Sequence, residues 1–319
     1  MTTKTYGFET TTDELLEGLD LTGKHVLITG ASAGLGVETA RALAAHGASV
    51  ILTVRDMAKG ERATEVVRAD AALGASVELR EMDLASLASV RACADGPLGE
   101  GQPLNVLIAN AGVMACPEGK TADGFETQFG TNHLGHFLFV NKLVPLLLKG
   151  APSRIVCLSS SGHRLSDVSL DDPSFEKTRY DPWTAYGRSK TANALFALAL
   201  DKRLKNRGVR AASVHPGGIR TELGRHMTPE VTQQMMDRFK NQRGTFKFKT
   251  VPQGAATSIW AGVIADMDEI NGRFCEDCHV AETTHDPDAM AGVRPYAQDP
   301  ANAEALWAKS EEWVGERFP

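Results

Sequence analysis

The chain has 319 residues, of which 42% are hydrophobic and 23% are charged. This balance is typical of a globular protein and excludes disordered, collagenous and coiled-coil chains. The formal net charge is −6, and no run of Lys and Arg offsets it, which argues against nucleic-acid binding. At about 150 residues per domain the length would allow two domains, so the number must come from the pattern of elements.

Targeting signals are absent from the sequence as given. Residues 1–30 hold no basic stretch followed by an apolar run, and no window approaches the ~20 apolar residues of a membrane span. The five cysteines are Cys93, Cys116, Cys157, Cys275 and Cys278. Because they are scattered and odd in number, they fit a reducing compartment better than a disulfide framework. We expect a cytoplasmic protein without a membrane span.

Strand-like and helix-like segments alternate along the chain. Short apolar, β-branched runs predict strands at Lys24–Thr29, Ser49–Val54, Val77–Met82, Asn105–Ala109, Arg154–Leu158 and Val209–Val214, with a final strand within Gly272–Glu282. Apolar residues at helical spacing predict helices at Gly36–His46, Lys59–Leu73, Leu87–Cys93, Phe125–Leu148 and Trp183–Lys205. Continuous apolar strands separated by helices indicate a parallel sheet covered on both faces. The sequence predicts an α/β fold: a doubly wound Rossmann-type domain with a mostly parallel seven-stranded sheet.

No linker or repeat divides this series, so we expect one domain over residues 1–319. Its parts are a lead at 1–22, a core at 23–280 and a C-terminal extension at 281–319. Segment Thr221–Thr250 departs from the alternation and carries Met227, Met235, Met236, Phe239, Phe246 and Phe248. Long loops at strand ends are often functional, although these apolar side chains could also simply pack down. The tail Ala301–Gly315 predicts a helix that packs on the body, with partner or membrane contact as the alternative.

A glycine-rich turn stands directly after the first predicted strand. Gly30, Gly34 and Gly36 lie within TGASAGLG, which opens the first long helix. Glycines allow a tight turn there, and the backbone N–H groups at a helix N-terminus attract a pyrophosphate. The position between strand and helix favours dinucleotide binding over a purely structural turn.

The end of the second predicted strand bears on the choice of nicotinamide cofactor. An NAD enzyme usually offers an acid there to the ribose hydroxyl, whereas an NADP enzyme supplies Arg for the 2′-phosphate. Thr53 and Val54 occupy the place of the acid, and Arg55 follows. We therefore expect NADP(H), with NAD(H) kept as the alternative because Asp56 comes next.

Tyr186 and Lys190 lie four residues apart, on one face of a predicted helix. A nearby cation favours the phenolate and would lower the Tyr186 pKa from about 10. Such a tyrosine can exchange a proton with a substrate oxygen while hydride moves to or from a nicotinamide ring. The spacing alone is also compatible with a packed Tyr and a solvated Lys.

The spacing G-x-x-x-G-x-G resembles the cofactor turn of classical-type short-chain dehydrogenases/reductases, and further motifs follow in that superfamily's order. The resemblance implies catalytic roles for Asn132, Ser160, Tyr186 and Lys190. Ser159 and Ser161 are the alternative candidates for the role of Ser160. It implies an adenine contact by Asp83, a close approach at Asn110-Ala111-Gly112, and a nicotinamide-side turn at His215–Thr221. The implied cofactor-binding residues are Gly30, Ser32, Ala33, Gly34, Leu35, Gly36, Arg55, Asp83, Leu84, Asn110, Ala111, Gly112, Tyr186, Lys190, Pro216, Gly217, Ile219 and Thr221.

Within the superfamily, the long separation of Ser160 from Tyr186 and the motifs RDMAKGE, NHLGHF and SSSGHR resemble the retinol dehydrogenase-like branch, which is related to protochlorophyllide reductase. The resemblance implies an NADP(H)-dependent oxidoreductase that interconverts an alcohol and a ketone or aldehyde on a hydrophobic, bulky small molecule. Alternatives are an NADPH-dependent C=C reductase and a non-catalytic NADP-binding regulator. Retinoid is not fixed as the substrate, because no hydrophobic N-terminal anchor precedes the core. Homo-oligomerisation is left open.

Cys275 and Cys278 form a C-x-x-C pair followed by His279, with His285 beyond it. Zinc would need four such ligands in a tetrahedron, and a redox pair of this spacing usually opens a helix. Because this pair falls in the predicted final strand, we expect packed free thiols and no metal site.

Overall fold

A computed structural model describes residues 5–241 and 247–318. The strands are β1 (His25–Thr29), β2 (Ser49–Val54), β3 (Val77–Glu81), β4 (Val106–Ala109), β5 (Ser153–Leu158), β6 (Val209–His215), β7 (Gly218–Ile219), β8 (Phe248–Lys249), β9 (Phe274–Glu276) and β10 (His279–Val280). The α-helices are α1 (Thr12–Leu16), α2 (Gly34–Ala45), α3 (Met57–Asp70), α4 (Leu87–Glu100), α5 (Thr127–Phe129), α6 (Gly135–Lys149), α7 (Pro182–Leu204), α8 (Pro229–Phe239), α9 (Val251–Ile259), α10 (Met267–Ile270) and α11 (Pro300–Val314).

The predicted doubly wound α/β architecture is confirmed. The main sheet has the order β10-β9-β6-β5-β4-β1-β2-β3, and every pair in it is parallel except β9 with β10. The chain reverses its winding between β1 and β4, which opens a crevice at the carboxyl ends of these strands. A separate two-stranded sheet pairs β7 with β8.

The predicted count of seven strands is wrong by one, because the predicted final strand is a hairpin. Asp277 and Cys278 have positive φ values of +48° and +58° and turn the chain back between β9 and β10. Two consecutive residues of this conformation form the tight turn that suits a two-residue hairpin. An antiparallel eighth strand therefore closes the edge of an otherwise parallel sheet.

Apolar layers cover both faces of the sheet, as alternation along the strands requires. On β1, Leu27 belongs to a core cluster with α4, α6, α7 and α11, whereas Val26 and Ile28 belong to a second cluster with α1, α2 and α9. The lead contributes Leu15 and Leu16 to the second cluster. These contacts support the single-domain proposal, since the lead shares its core with the sheet.

The tail forms α11, and its packing within the molecule is as expected. Ala303, Leu306, Trp307, Ser310 and Val314 are its buried residues. This helical spacing gives one apolar stripe, which packs on α7 and completes the first core cluster. Within the two described ranges, no helix is both long and apolar enough to traverse a bilayer.

Candidate active site

The predicted phosphate-binding turn joins β1 to α2. Gly30 and Gly34 have positive φ values of +70° and +59°. A Cβ built on Gly30 would lie 2.7 Å from Ala111 Cα, so only glycine allows this approach. The N-cap of α2 is Ala33, and no side chain caps the helix. The turn therefore fits a pyrophosphate, which the uncapped N–H groups and the helix dipole would attract.

The segment Asn110-Ala111-Gly112 follows β4 and is bonded to this turn. The Asn110 side-chain amide donates hydrogen bonds to the carbonyls of Thr29 at 2.8 Å and Gly30 at 3.2 Å. The Ala111 N–H donates to the Thr29 hydroxyl at 3.0 Å. A Cβ built on Gly36 would lie 2.5 Å from the Gly30 carbonyl oxygen. Small residues here let the two strand ends form one narrow crevice.

The predicted discriminator of the cofactor, Arg55, is exposed at the end of β2. Asp56 is engaged structurally, because its carboxylate accepts the Lys59 N–H at 2.9 Å and caps α3. Ser32, Lys59 and Arg62 line a depression of about 460 Å³ beside the turn. Asp56, the residue on which the NAD(H) alternative rested, thus serves as a helix cap. The depression is lined by the cations Arg41, Lys59 and Arg62 and by the acid Glu38.

The predicted adenine-side residues follow β3. The Asp83 carboxylate accepts the Ala85 N–H at 2.9 Å, while the Leu84 side chain is buried. A Cβ built on Gly135 would lie 2.5 Å from the Leu84 carbonyl oxygen, so α6 begins in close contact with this loop. Asp83 shapes its own turn, and any contact with adenine stays a prediction.

The predicted nicotinamide-side residues Pro216, Gly217, Ile219 and Thr221 follow β6. Gly217 has φ +95°, and a Cβ built on it would lie 2.8 Å from Lys249 Cδ. A Cβ built on Gly34 would lie 3.2 Å from Thr221 Cγ2. The segment after β6 therefore returns to the phosphate-binding turn. A Cβ built on Gly254 of α9 would meet both Ile219 and Leu35, so these side chains meet at the same place.

Tyr186 lies on α7 with only 4% of its surface exposed, and the Ser160 hydroxyl lies beside its phenol, where it lowers the Tyr186 pKa. A Cβ built on Gly162 would lie 2.6 Å from Tyr186 Cε1, so the loop after β5 passes directly over the ring. The Trp183 ring meets the Tyr186 ring edge-on at 6.4 Å between centroids. A phenol and a serine hydroxyl thus stand together at the carboxyl edge of the sheet.

The Ser159 hydroxyl and the Ser161 backbone have other partners. The buried Ser159 hydroxyl donates to the Lys190 carbonyl at 2.7 Å, and the Ser161 N–H donates to a ring nitrogen of His215. Ser160 itself accepts the Gly162 N–H at 3.0 Å and remains beside the phenol. The geometry favours Ser160 over Ser159, whose hydroxyl points into the helix–sheet interface.

Lys190 is buried below Tyr186. Its Nζ donates to the Leu158 carbonyl at 3.0 Å and lies 5.6 Å from the centroid of the Tyr186 ring. Burial lowers the Lys190 pKa to about 8. A buried ammonium is costly, and this cost is the reason that the Lys190 pKa lies below its usual value.

We expected Lys190 to lower the Tyr186 pKa. In the protein without a bound ligand the Tyr186 pKa is instead raised. Burial raises the Tyr186 pKa to about 12, and the neighbouring Ser160 hydroxyl opposes this only in part. Lys190 Nζ is directed at the Leu158 carbonyl and contributes no counteracting shift. Desolvation of the phenolate therefore outweighs the nearby cation in this state.

Asn132 lies in a π-helical turn, Gly130–Leu134, which interrupts the predicted helix between α5 and α6. Its side chain donates to the Val113 carbonyl and the Ser189 hydroxyl, both at 2.9 Å, and accepts the Val113 N–H at 2.8 Å. A Cβ built on Gly112 would lie 3.2 Å from Asn132 Oδ1 and 3.6 Å from Lys190 Nζ. Asn132 is thus fixed next to Lys190 and ties α7 to the loop after β4.

A histidine adjoins Asn132 in the site. His136 is buried; its Nδ1 donates to the Asn132 carbonyl at 2.9 Å, and its Nε2 accepts from the Thr29 hydroxyl at 2.8 Å. Burial lowers the His136 pKa to about 4, so the ring is neutral. The only signal in the sequence was that several histidines fall within or next to the motifs.

An apolar wall faces Tyr186 and Trp183. It is made of Met114, Ala115, Leu165, Met227, Val231 and Met235. Helix α8 is fastened over the site, because Trp183 Nε1 donates to the Val231 carbonyl at 3.0 Å and Arg238 pairs with Asp181 at 2.8 Å. Met227 and Met235 of the predicted apolar segment lie here, whereas Met236 and Phe248 are exposed and Phe246 lies outside the described residues.

Cys275 and Cys278 are buried free thiols. The Cys278 N–H donates to the Thr257 hydroxyl at 3.2 Å, and burial raises the Cys278 pKa to about 11. Among residues 5–241 and 247–318, no three His, Cys, Asp or Glu side chains are grouped to hold a metal ion.

Comparison with known proteins decides the family. The chain matches the family model of short chain dehydrogenases over residues 24–232. The chain belongs to the short-chain dehydrogenase/reductase family. The predicted superfamily is confirmed, and the protein is an oxidoreductase of alcohol or carbonyl groups.

Relatives within this family confirm the retinol dehydrogenase-like branch. Human retinol dehydrogenase 12 is 40% identical over 301 residues, which are 94% of this chain and 89% of that protein. The short-chain dehydrogenase/reductase prx1 of Penicillium roqueforti is 41% identical over 289 residues, 89% of this chain and 83% of that protein.

Solved structures agree on the fold. An uncharacterized protein from Mycobacterium paratuberculosis matches with a TM-score of 0.71 and 36% identity, covering 96% of this chain and 98% of that one. A short chain dehydrogenase from Burkholderia cenocepacia in complex with NADP matches with a TM-score of 0.62 and 24% identity, covering 81% and 98%.

Proposed function

We propose that the protein is an NADP(H)-dependent oxidoreductase that interconverts an alcohol and a ketone or aldehyde on a hydrophobic, bulky small molecule. The observation that carries the proposal is the pairing of the Tyr186 phenol with the Ser160 hydroxyl above the buried Lys190. This group stands at the carboxyl edge of the sheet, where open α/β sheets bind ligands. The cysteine pattern supports a cytoplasmic location.

Each residue of the group has a distinct role in the proposed reaction. Tyr186 exchanges a proton with the substrate oxygen, and Ser160 donates a hydrogen bond that orients this oxygen. Lys190 favours the phenolate once the site is occupied and binds the cofactor ribose, while Asn132 supports a proton relay through water. NADP(H), held by the turn Gly30–Gly36, supplies or accepts the hydride.

The wall beside Tyr186 supports the proposed substrate class. Met227 and Met235, from the segment after β6, are part of this wall, and Trp183 packs against it. Methionine side chains adapt their shape to irregular apolar ligands. A substrate with an extended hydrocarbon body would gain more from this surface than a small polar alcohol.

Tyr186→Phe tests the proposal directly. Because the substituted ring has no proton to transfer, we expect turnover to fall about 10²- to 10⁴-fold while NADPH binding is retained. Initial rates over a panel of ketones, aldehydes, alcohols and enones measure the first quantity, and NADPH fluorescence titration measures the second. Tyr6→Phe, in the lead, is the matched control.

Retained turnover in Tyr186→Phe would refute the assigned role. Reduction confined to the enones would replace carbonyl chemistry with C=C reduction by the same tyrosine. A wild-type protein that binds NADPH but turns over no member of the panel would favour the non-catalytic regulator.

A further inference from the structure

The backbone that carries Ser160 is held by two histidines from different parts of the chain, the buried His163 and the half-buried His215. On one side, His163 Nδ1 lies 2.7 Å from the Ser160 carbonyl oxygen. On the other side, the Ser161 N–H points at His215 Nδ1 at 3.1 Å. These two atoms are the acceptor and the donor of a single peptide group, the one that joins Ser160 to Ser161.

The partners fix the tautomer of each ring. A carbonyl oxygen can only accept, so His163 carries its proton on Nδ1, and its Nε2 accepts the Arg294 N–H at 3.1 Å. His215 Nδ1 faces two donors, the N–H groups of Ser161 and of Gly217 at 3.4 Å, so it is unprotonated. One ring therefore gives a hydrogen bond to the peptide, and the other receives one.

Both rings are held neutral and rigid by their surroundings. His163 has no exposed surface and packs against Phe274 in a tilted arrangement with 4.8 Å between ring centroids. Burial lowers the His163 pKa to about 3 and the His215 pKa well below its usual value, with the nearby Arg164 lowering both further. A charged His215 would present a donor to two donors, so the observed contacts require the neutral ring.

The C-terminal extension reinforces the arrangement. The Arg164 guanidinium, next to His163, donates to the carbonyls of Ala289, Met290 and Gly292. The Tyr296 hydroxyl donates to the His163 carbonyl at 2.8 Å. The short helix that follows Ser160 is thereby fastened to a segment more than a hundred residues away in sequence.

We propose that His163 and His215 are positioning residues, which hold the Ser160–Ser161 peptide from both sides and so aim the Ser160 hydroxyl at Tyr186. The inference rests on the proposed function, because the aim of Ser160 matters only if Tyr186 exchanges a proton with a substrate oxygen. His215 also holds Gly217, so the same ring couples the serine loop to the nicotinamide-side turn.

We call the two histidine contacts with the Ser160–Ser161 peptide the clamp. Amide hydrogen exchange tests the clamp without relying on turnover. His215→Leu removes the acceptor, and we expect exchange at the Ser161 amide to speed up about tenfold or more. In His215→Asn the side-chain oxygen can take the place of Nδ1, so exchange should stay near the wild-type rate. His215→Gln keeps a polar group but displaces it, which provides a folded variant if His215→Leu does not fold. An unchanged Ser161 rate in both His215→Leu and His215→Gln would overturn the proposal.

A double-mutant cycle with Ser160→Ala tests whether His163 and His215 affect turnover by positioning Ser160. We expect His215→Gln and His163→Leu to lower kcat about 10- to 100-fold in the wild-type background and less than about twofold in the Ser160→Ala background. His163→Asn, which keeps a donor near Nδ1, should recover most of the loss. His279→Leu, which alters an exposed histidine on β10, is the matched control. Equal losses in both backgrounds would mean a general structural role and would overturn the proposal.

The two experiments separate this inference from the proposed function. If the wild-type protein turns over nothing in the substrate panel, the proposed function fails and the exchange rates still decide whether the clamp exists. If turnover depends on Tyr186 but the histidine substitutions change neither exchange nor kcat, the proposed function stands and the clamp is refuted.

Discussion

At the scale of single residues, the candidate site combines groups whose burial opposes their ionisation. Tyr186 resists losing its proton and Lys190 resists keeping one, since each would carry an uncompensated charge in a low-dielectric interior. In the protein alone Tyr186 is therefore neutral and Lys190 is charged below about pH 8, and both groups are neutral only above that pH. A ligand that brings charge or hydrogen bonds to this place can shift both equilibria.

Lys190 should leave a signature in the pH dependence of stability. Its pKa is about 8 in the folded chain and about 10.5 when unfolded, so between these values the unfolded chain binds the additional proton. Stability therefore rises with pH through this window. Relative to Lys190→Met, which does not titrate, we expect the wild-type free energy of unfolding to gain about 3 kcal/mol from pH 7 to pH 10.

Urea denaturation of the two proteins at a series of pH values provides this measurement. A difference between them that stays constant, or that falls as the pH rises, would contradict a lowered Lys190 pKa.

Arg55 should determine the preference between the two nicotinamide cofactors. A charge-assisted contact with the 2′-phosphate contributes about 1.5–3 kcal/mol, so Arg55→Asp should weaken NADPH binding about 10- to 100-fold. NADH binding should weaken far less. Fluorescence titration with both cofactors gives the ratio, and Arg68→Asp, which changes an exposed arginine on the following helix α3, is the control. Equal losses for the two cofactors would count against the assignment of Arg55.

At the scale of elements, helix α8 covers the candidate site with one face. Val231 and Met235 turn inward to Trp183 and Tyr186, whereas Met236 is 56% exposed on the outer face. The helix is attached by few contacts, chiefly the Trp183 hydrogen bond and the Arg238–Asp181 ion pair. Helix α8 can therefore form one wall of the proposed substrate site, and the central sheet does not depend on it for support.

Met235→Glu should raise KM for apolar substrates about tenfold, because a charge would face the apolar wall. The Kd for NADPH should change little, since Met235 packs with Trp183 and Tyr186 on the proposed substrate side. Met236→Glu makes the same chemical change on the exposed face and should leave KM unaltered. Steady-state kinetics on both variants measure the effect. Equal KM values for the two would show that α8 does not line the substrate site.

At the scale of the whole molecule, both ends of the chain contribute to the body around the site. Helix α11 packs its stripe on α7, the helix that carries Tyr186 and Lys190. The Arg203 guanidinium lies 3.9 Å from the centroid of the Trp307 ring, and His133, next to Asn132, hydrogen-bonds Ser310 at 2.8 Å. The C-terminal extension thus packs against the elements that carry the site residues, α7 and the turn around Asn132.

Trp307→Ala should destabilise the protein by about 3–5 kcal/mol, because it empties a buried volume between α7 and α11. Lys309→Ala, on the outer face of the same helix, should change stability by less than about 0.5 kcal/mol. Thermal or denaturant unfolding compares them. A loss for Trp307→Ala no larger than that for Lys309→Ala would mean that α11 packs too loosely to support α7.

Prediction from sequence succeeded where the information is local. The order of strands and helices followed from periodicity, and the turn Gly30–Gly36 was recognisable because glycine spacing and strand-to-helix position are both local features. The hairpin at Asp277 and Cys278 was missed, since neither residue is glycine and the run reads as one strand. The π-helical turn around Asn132 was missed because its cause, contact with residues across the crevice, is not local.

The sequence by itself determined the α/β class, the glycine-rich turn after β1 and the placement of Tyr186 and Lys190 on one helix face. Each depends on residues only a few positions apart, whose geometry the backbone fixes. Only the tertiary structure decided which serine meets the phenol, how burial sets the pKa values of Tyr186 and Lys190, and that His163 and His215 hold the Ser160 peptide. These features arise from contacts between distant segments, and desolvation and hydrogen bonding act only once those segments are packed together.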